Sequence, residues 1–154
     1  MDRTDHVRTQ IDPEVTLILA DIMAVELPAS HFGGALVSNF LEHLQDPDAI
    51  HAFLLRMHGW IEPGGRIAIL GPNYRYCSRT YWDFADHWVA LSHRAIEEHL
   101  VAAGFELVET HARFLPFSFT GRLPASRRLA ELYLRTPIAW RVLGKQFLVI
   151  ARRP

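Results

Sequence analysis

The sequence predicts an α/β layered fold with a mostly parallel sheet. Short apolar runs alternate with amphipathic stretches of helical period along the chain. A polar turn, Glu62-Pro63-Gly64-Gly65, feeds an apolar run at residues 66–70 that stops at Gly71-Pro72. Asp46-Pro47-Asp48 is a helix start: Asp46 can cap free N–H groups, Pro47 suits the first helical position and Asp48 complements the dipole.

Taken in order, residues 15–20 form a short apolar run ending at Asp21, read as a buried strand. Leu27-Pro28-Ala29-Ser30 is a turn, and residues 34–38 are a second strand ending at Asn39. The helix begun at Pro47 places Ala49, Ile50, Phe53, Leu54 and Met57 at helical spacing, with Gly59 as its expected stop. Residues 66–70 are the third strand. Ser92 opens a helix with Ile96, Leu100 and Ala103 on one face, ended by Gly104. Residues 105–113 alternate and read as a strand with one face buried. Residues 126–135 look helical, Thr136-Pro137 restarts a short helix that stops at Gly144, and residues 146–151 are a last strand; one strand of the sheet, near an edge, is expected to be antiparallel.

Length and composition narrow the classes. At 154 residues and 49% hydrophobic, one domain with a sizeable core is expected. A single cysteine, Cys77, excludes an intrachain disulfide framework and fits a reducing compartment. No run of eighteen apolar residues is present, and the polar residues 1–10 do not resemble a secretory signal. Charge is split: residues 112–154 hold nine Lys/Arg and one acid, while residues 1–111 hold seven Lys/Arg and sixteen acids. Such a split suits either a basic surface for an anionic partner or attraction between the two halves.

A series of spaced features resembles the later two-thirds of a class I S-adenosylmethionine-dependent methyltransferase of the type 11-like group. Leu19-Ala20-Asp21-Ile22 is similar to that family's third strand and its following acid. Ser38-Asn39-Phe40-Leu41-Glu42-His43-Leu44 resembles its post-strand segment. Ile61-Glu62-Pro63-Gly64-Gly65-Arg66-Ile67 resembles the turn before its fifth strand, and Pro72-Asn73 with Tyr81-Trp82-Asp83 is similar to a branch linked to surface saccharides and lipids. The resemblance implies an incomplete Rossmann-like sheet with helices on both faces. It implies a single methyltransferase-like domain over residues 1–154, truncated at its N-terminal side and lacking the glycine-rich loop, since no glycine precedes Gly33. It also implies a helical insertion at residues 114–144. Residues 15–20, lacking their usual neighbours, would pair with residues 34–38, sit loosely, or be completed by another chain or a second copy.

The activity implied is methyl transfer from S-adenosylmethionine to a small or lipid- or saccharide-linked acceptor, impaired in this chain alone, in the cytoplasm or at a membrane periphery. Asp21, Ile22, Ser38, Asn39 and His43 would face the cofactor. Asn73, Tyr74, Tyr81 and Asp83 would face the acceptor, with His87 and Asp86 as the acid–base pair that removes its proton. Ligands of open α/β sheets bind beyond the carboxyl ends of strands, which is where these residues fall. Asp83, Asp86 and His87 could meet a cation, but with no H-E-x-x-H or clustered cysteines no metal site is expected. No G-x-S-x-G turn supports a serine hydrolase, and nucleic acid is not an expected partner.

The alternative is a non-catalytic module that lays a basic C-terminal segment on anionic lipid or another polyanion. Phe114, Phe117, Phe119, Tyr133 and Trp140 are interleaved there with Arg122, Arg127, Arg128, Arg135 and Arg141.

Overall fold

A computed structural model describes residues 12, 14–117 and 126–154. Four strands form one sheet in the order β1-β2-β4-β3. They are β1 (Phe32–Ser38), β2 (Ile61–Pro72), β3 (Glu106–His111) and β4 (Gln146–Arg152). β1 runs parallel to β2, and β4 runs antiparallel to both β2 and β3. The three remaining strands thus share one direction, and the single reversed strand lies next to the β3 edge; a mostly parallel sheet with an antiparallel strand near one edge was expected.

Between β1 and β2 lie a single 3-10 turn, Leu41–His43, and helix α1, Pro47–Trp60. Asp46 caps α1, its Oδ1 accepting from Ala49 N–H at 2.8 Å. Two helices follow β2: α2, Tyr74–Tyr81, and α3, His93–Ala102. Ser92 caps α3 by accepting from Ala95 N–H. A last pair, α4 (Arg127–Leu134) and α5 (Pro137–Leu143), lies between β3 and β4.

α1 and α3 pack on each other and on the same side of the sheet. There, Ile50, Phe53 and Leu54 of α1 and Ile96 and Leu100 of α3 meet Ile67 and Ile69 of β2 and Phe147, Val149 and Ala151 of β4, all buried. Residues of opposite parity point to the other face. Ala68, Leu70, Leu148 and Ile150 are only half-buried there, and Leu36 is 71% exposed.

Several elements differ from expectation. Residues 15–20 form no strand: Val15, Ile18 and Leu19 are exposed, and no pairing to β1 is made. Of the expected outcomes, pairing with residues 34–38 is not realised; among the described residues the segment touches the core from Ile22 onward, with Met23, Val25 and Leu27. Gly59 does not stop α1, which continues to Trp60 and passes into β2 with no loop. The turn at residues 62–65 lies inside β2 as an irregularity, with a register shift opposite Phe32 and Gly34 and Gly64 at φ +84°. Gly65 admits no side chain, because a Cβ would lie 2.6 Å from Ile61 Cγ2 and 2.9 Å from Gly33 O. β3 is shorter than the predicted 105–113 and mostly exposed, with Leu107 and Val108 open to solvent.

Arg153 fastens this end of the sheet. Its carbonyl accepts from Gly64 N–H at 2.8 Å, and its N–H donates to Gly65 O at 2.9 Å. Its guanidinium donates to Ile61 O and to Ser30 Oγ. No described helix is long and apolar enough to cross a membrane.

Candidate functional site

The site lies at the opposite end, where β1 and β2 finish together. Asn39 leaves β1 in a left-handed conformation, φ +48°, which asparagine tolerates better than most residues. Its N–H donates to Leu70 O of β2 at 2.8 Å, and its Nδ2 donates to Ser38 Oγ at 3.2 Å. The chain then makes the 3-10 turn, and Glu42 turns inward to 3% exposure. Its carboxylate lies over Gly71 of β2, where a Cβ would sit 3.6 Å from Oε2. Burial pushes the Glu42 carboxyl above its ordinary range.

A second arm comes from the loop after α2. Trp88 N–H donates to Glu42 O at 2.9 Å, and Val89 N–H reaches the same oxygen at 3.4 Å. Tyr81 holds this loop from below: its hydroxyl donates to Val89 O at 2.5 Å and accepts from Leu91 N–H at 3.3 Å. These ties bring Asp86 and His87 beside His43. His43 Nδ1 is 2.9 Å from Asp86 O and 3.4 Å from Asp86 Oδ2, while its Nε2 is 4.0 Å from Glu42 Oε1. The His43 and His87 rings meet edge-on at 5.2 Å. Phe84 stacks on His87 at 5.1 Å, and Tyr81 packs on it at 4.6 Å. His87 Nδ1 is buried with no hydrogen-bond partner among the described residues. Burial, and then the neighbouring His43, hold the His87 imidazole below its ordinary pKa.

Beside this cluster, on the far side of Phe84, opens a cleft of about 370 Å³. It is lined by Thr80, Asp83, Phe84, Pro116, Phe117, Leu143 and Lys145. A larger groove of about 650 Å³ lies along His111, Arg113, Trp140 and Arg141.

The structure brings His43, Asp86 and His87 into one cluster and places Asp83 in the adjoining cleft. Ser38 and Asn39 stand exposed at the strand exit. Asn73 and Tyr81 are not available as expected, since both are fully buried. Asn73 Oδ1 caps α2 by accepting from Arg75 N–H, and its Nδ2 donates to Ala112 O at 2.8 Å and to His93 Nδ1 at 3.0 Å. Tyr74 is half-buried and packs edge-on against Tyr81 and Trp82. Asp21 closes a local turn, its Oδ1 accepting from Met23 N–H at 2.8 Å, and Ile22 packs against the core.

Sequence reasoning gave Glu42 no role. The signal was present as an acid next to His43 one turn beyond a strand, but its burial over Gly71 is a tertiary fact. No metal site was expected, yet Glu42, His43 and His87 each offer a ligand atom, all within 4.8 Å of one another. Phe119 and Arg122 lie outside the described residues.

No protein-family model matches the sequence, and no curated protein does. Solved structures do. An S-adenosylmethionine-dependent methyltransferase from Archaeoglobus fulgidus matches with a TM-score of 0.66 at 16% identity, over 97% of this chain and 72% of that one. This is the fold of S-adenosylmethionine-dependent methyltransferases. A chain of the Haloferax volcanii complex between the Trm112 methyltransferase activator and a methyltransferase matches at 0.69, with 15% identity over 97% of this chain and 67% of that one. The [4+2]-cyclase SpnF matches at 0.63, with 18% identity over 98% of this chain and 60% of that one. The chain thus spans less than two thirds of SpnF and somewhat more of the other two. A cyclase on the methyltransferase fold means that the fold by itself does not select the reaction.

Proposed function

We propose that this chain takes part in methyl transfer from S-adenosylmethionine to a small or lipid- or saccharide-linked acceptor. The observation that supports the reading best is the convergence of Glu42, His43, Asp86 and His87 at the paired exits of two parallel strands, within a methyltransferase fold. Ligands of open α/β sheets bind at such exits. The exposed Ser38 and Asn39 side chains supply a hydroxyl and an amide there, a donor set that suits the amino-acid end of the cofactor. When bound, S-adenosylmethionine supplies an electrophilic methyl group on a sulfonium.

The residues of the chain align the acceptor and handle its proton. The cleft walled by Phe84, Pro116 and Phe117 gives the acceptor an apolar seat, and Asp83 and Lys145 give it polar anchors. His87, uncharged near neutral pH, can take a proton from an acceptor hydroxyl or amine, and Asp86 stands beside His43 to balance charge. Asp21 and Ile22 would approach the adenine end of the cofactor on rearrangement of their turn.

Isothermal titration with S-adenosylmethionine and S-adenosylhomocysteine tests this. We expect binding weaker than micromolar, competitive between the two ligands, and weakened at least about tenfold by the Ser38→Ala, Asn39→Ala double change. No binding at millimolar ligand, or binding indifferent to those changes, would overturn the assignment.

A second reading rests on α4 and α5, which expose Leu132, Ile138 and Val142 among Arg127, Arg128, Arg135 and Arg141. An apolar surface set with arginines suits an anionic membrane. Flotation with phosphatidylserine vesicles, lost on Arg127→Glu, Arg128→Glu, would support it; no flotation of the unaltered chain would dismiss it.

A further inference from the structure

We propose that Glu42, His43 and His87 form a site for one divalent transition-metal ion of the zinc class, beside the cleft that Phe84 lines. The three ligand atoms already lie within 4.8 Å of one another, and Glu42 Oε1 is 4.0 Å from His43 Nε2. Bonds of about 2.0–2.2 Å around a tetrahedral ion put ligand atoms roughly 3.3 Å apart, so closure needs side-chain movement of about 1 Å.

Orientation supports the site independently of distance. Histidines that bind metal usually give their second ring nitrogen to a carbonyl or carboxylate, which fixes the ring. His43 does this with Nδ1 on Asp86 O, leaving Nε2 on the side of Glu42. His87 carries a buried ring nitrogen that finds no partner among the described residues, a costly state that an ion beside the ring would relieve. Glu42 is a buried carboxylate whose one ion-pair neighbour among the described residues is His43, at the limit of contact. The main-chain bonds from Trp88 and Val89 to Glu42 O hold the two arms together before any ion arrives.

The donor set selects the ion. Two imidazoles and one carboxylate suit Zn²⁺, Co²⁺ or Fe²⁺ rather than Mg²⁺ or Ca²⁺, which prefer all-oxygen shells. Cys77 is not part of the set, because its thiol donates to Asn73 O. Three protein ligands leave at least one position free, and Phe84, stacked on His87, separates the cluster from the neighbouring cleft that it helps to line. An ion there would lower the pKa of a hydroxyl seated in the cleft. His87 would then act as a ligand instead of as a base. The consequence for an acceptor rests on the proposed methyl transfer; the binding of the ion does not.

The test uses chelator-stripped full chain titrated with Zn²⁺ in a calorimeter, without S-adenosylmethionine. We expect one equivalent bound at micromolar affinity or tighter, with a higher thermal midpoint. Affinity should fall by more than about tenfold in each of His43→Ala, His87→Ala and Glu42→Gln, and stay unchanged in His99→Gln. Co²⁺ absorption of the unaltered protein gives a readout that does not depend on variants folding, and an intense four- or five-coordinate spectrum is expected. An octahedral aquo spectrum, Zn²⁺ binding that persists in the His43→Ala, His87→Ala double variant, or tighter binding of Mg²⁺ than of Zn²⁺ would overturn the site. Cofactor binding without any metal binding would overturn this proposal alone, and metal binding without cofactor binding would leave it standing while the methyl-transfer reading failed.

Discussion

Tyr81 was expected at the acceptor and proves to be the peg under the loop that carries Asp86 and His87. Its hydroxyl joins Val89 O and Leu91 N–H, so Tyr81→Phe leaves a buried N–H unpaired. A loss of about 1–2 kcal/mol in urea denaturation is expected; an unchanged midpoint would contradict the tie. Cys77 is the complementary case. Burial pushes its thiol up to about 11, so little thiolate forms near neutral pH. A disulfide reagent at pH 8 should label the denatured chain readily and the native chain hardly at all. Residue types in the post-strand cluster told what chemistry the region can do, but not which side chains face inward. Asn73 and Asp86 look alike as polar residues in one loop-rich stretch. One is fully buried in a network with His93 and Ala112, and the other stands mostly in solvent.

At the level of elements, the sequence was legible where local chemistry decides. The Asp46-Pro47 start of α1 and the Ser92 start of α3 are both realised by cap hydrogen bonds. Asp46→Ala should cost about 1 kcal/mol, read as a lower denaturant midpoint. It was less legible where partners decide. Residues 15–20 have the composition of a strand, but a strand needs a neighbour, and β1 pairs with β2 alone among the described residues. α2 escaped notice because its buried residues, Cys77 and Tyr81, are not the aliphatic types that mark a helix face, and it bends at Cys77. Gly64 and Gly65 read as a turn because glycine marks turns, yet β2 absorbs both by shifting register. Gly65→Ala should destabilise by about 2 kcal/mol or more, because the obstructing atoms include backbone. Normal stability in that variant would mean that β2 has no such irregularity.

For the whole molecule, pH is the sharpest probe. Burial holds His58, His93 and His99 below their ordinary value of 6.5, with Arg153 adding at His58 and His51 at His99. At His93, Glu97 opposes the shift, while Arg94 and Arg75 reinforce it. The unfolded chain therefore takes up protons near pH 6.5 while the folded chain resists. Stability should be greatest above that pH, fall as pH drops through it, and level off once the folded groups also protonate. His87, lowered by burial and by His43, adds to the same effect, and Glu42, raised by burial, acts in the opposite direction, one group against four. Denaturant midpoints at pH 7.5 and 5.5 check the sign, and His93→Gln should flatten the difference. Equal midpoints would show that these rings are solvated.

The Arg153 clamp and the carboxylate–imidazole cluster sit at opposite poles of β2, one at its first residues and one beyond its last. Anchorage and chemistry are therefore separately adjustable in this molecule. Arg153→Ala should melt earlier yet bind Zn²⁺ as before, while Lys145→Ala, at the rim of the cleft, should reshape what enters without loosening the scaffold. A change in what the cleft admits therefore need not draw on the hydrogen bonds that hold the far end of the sheet.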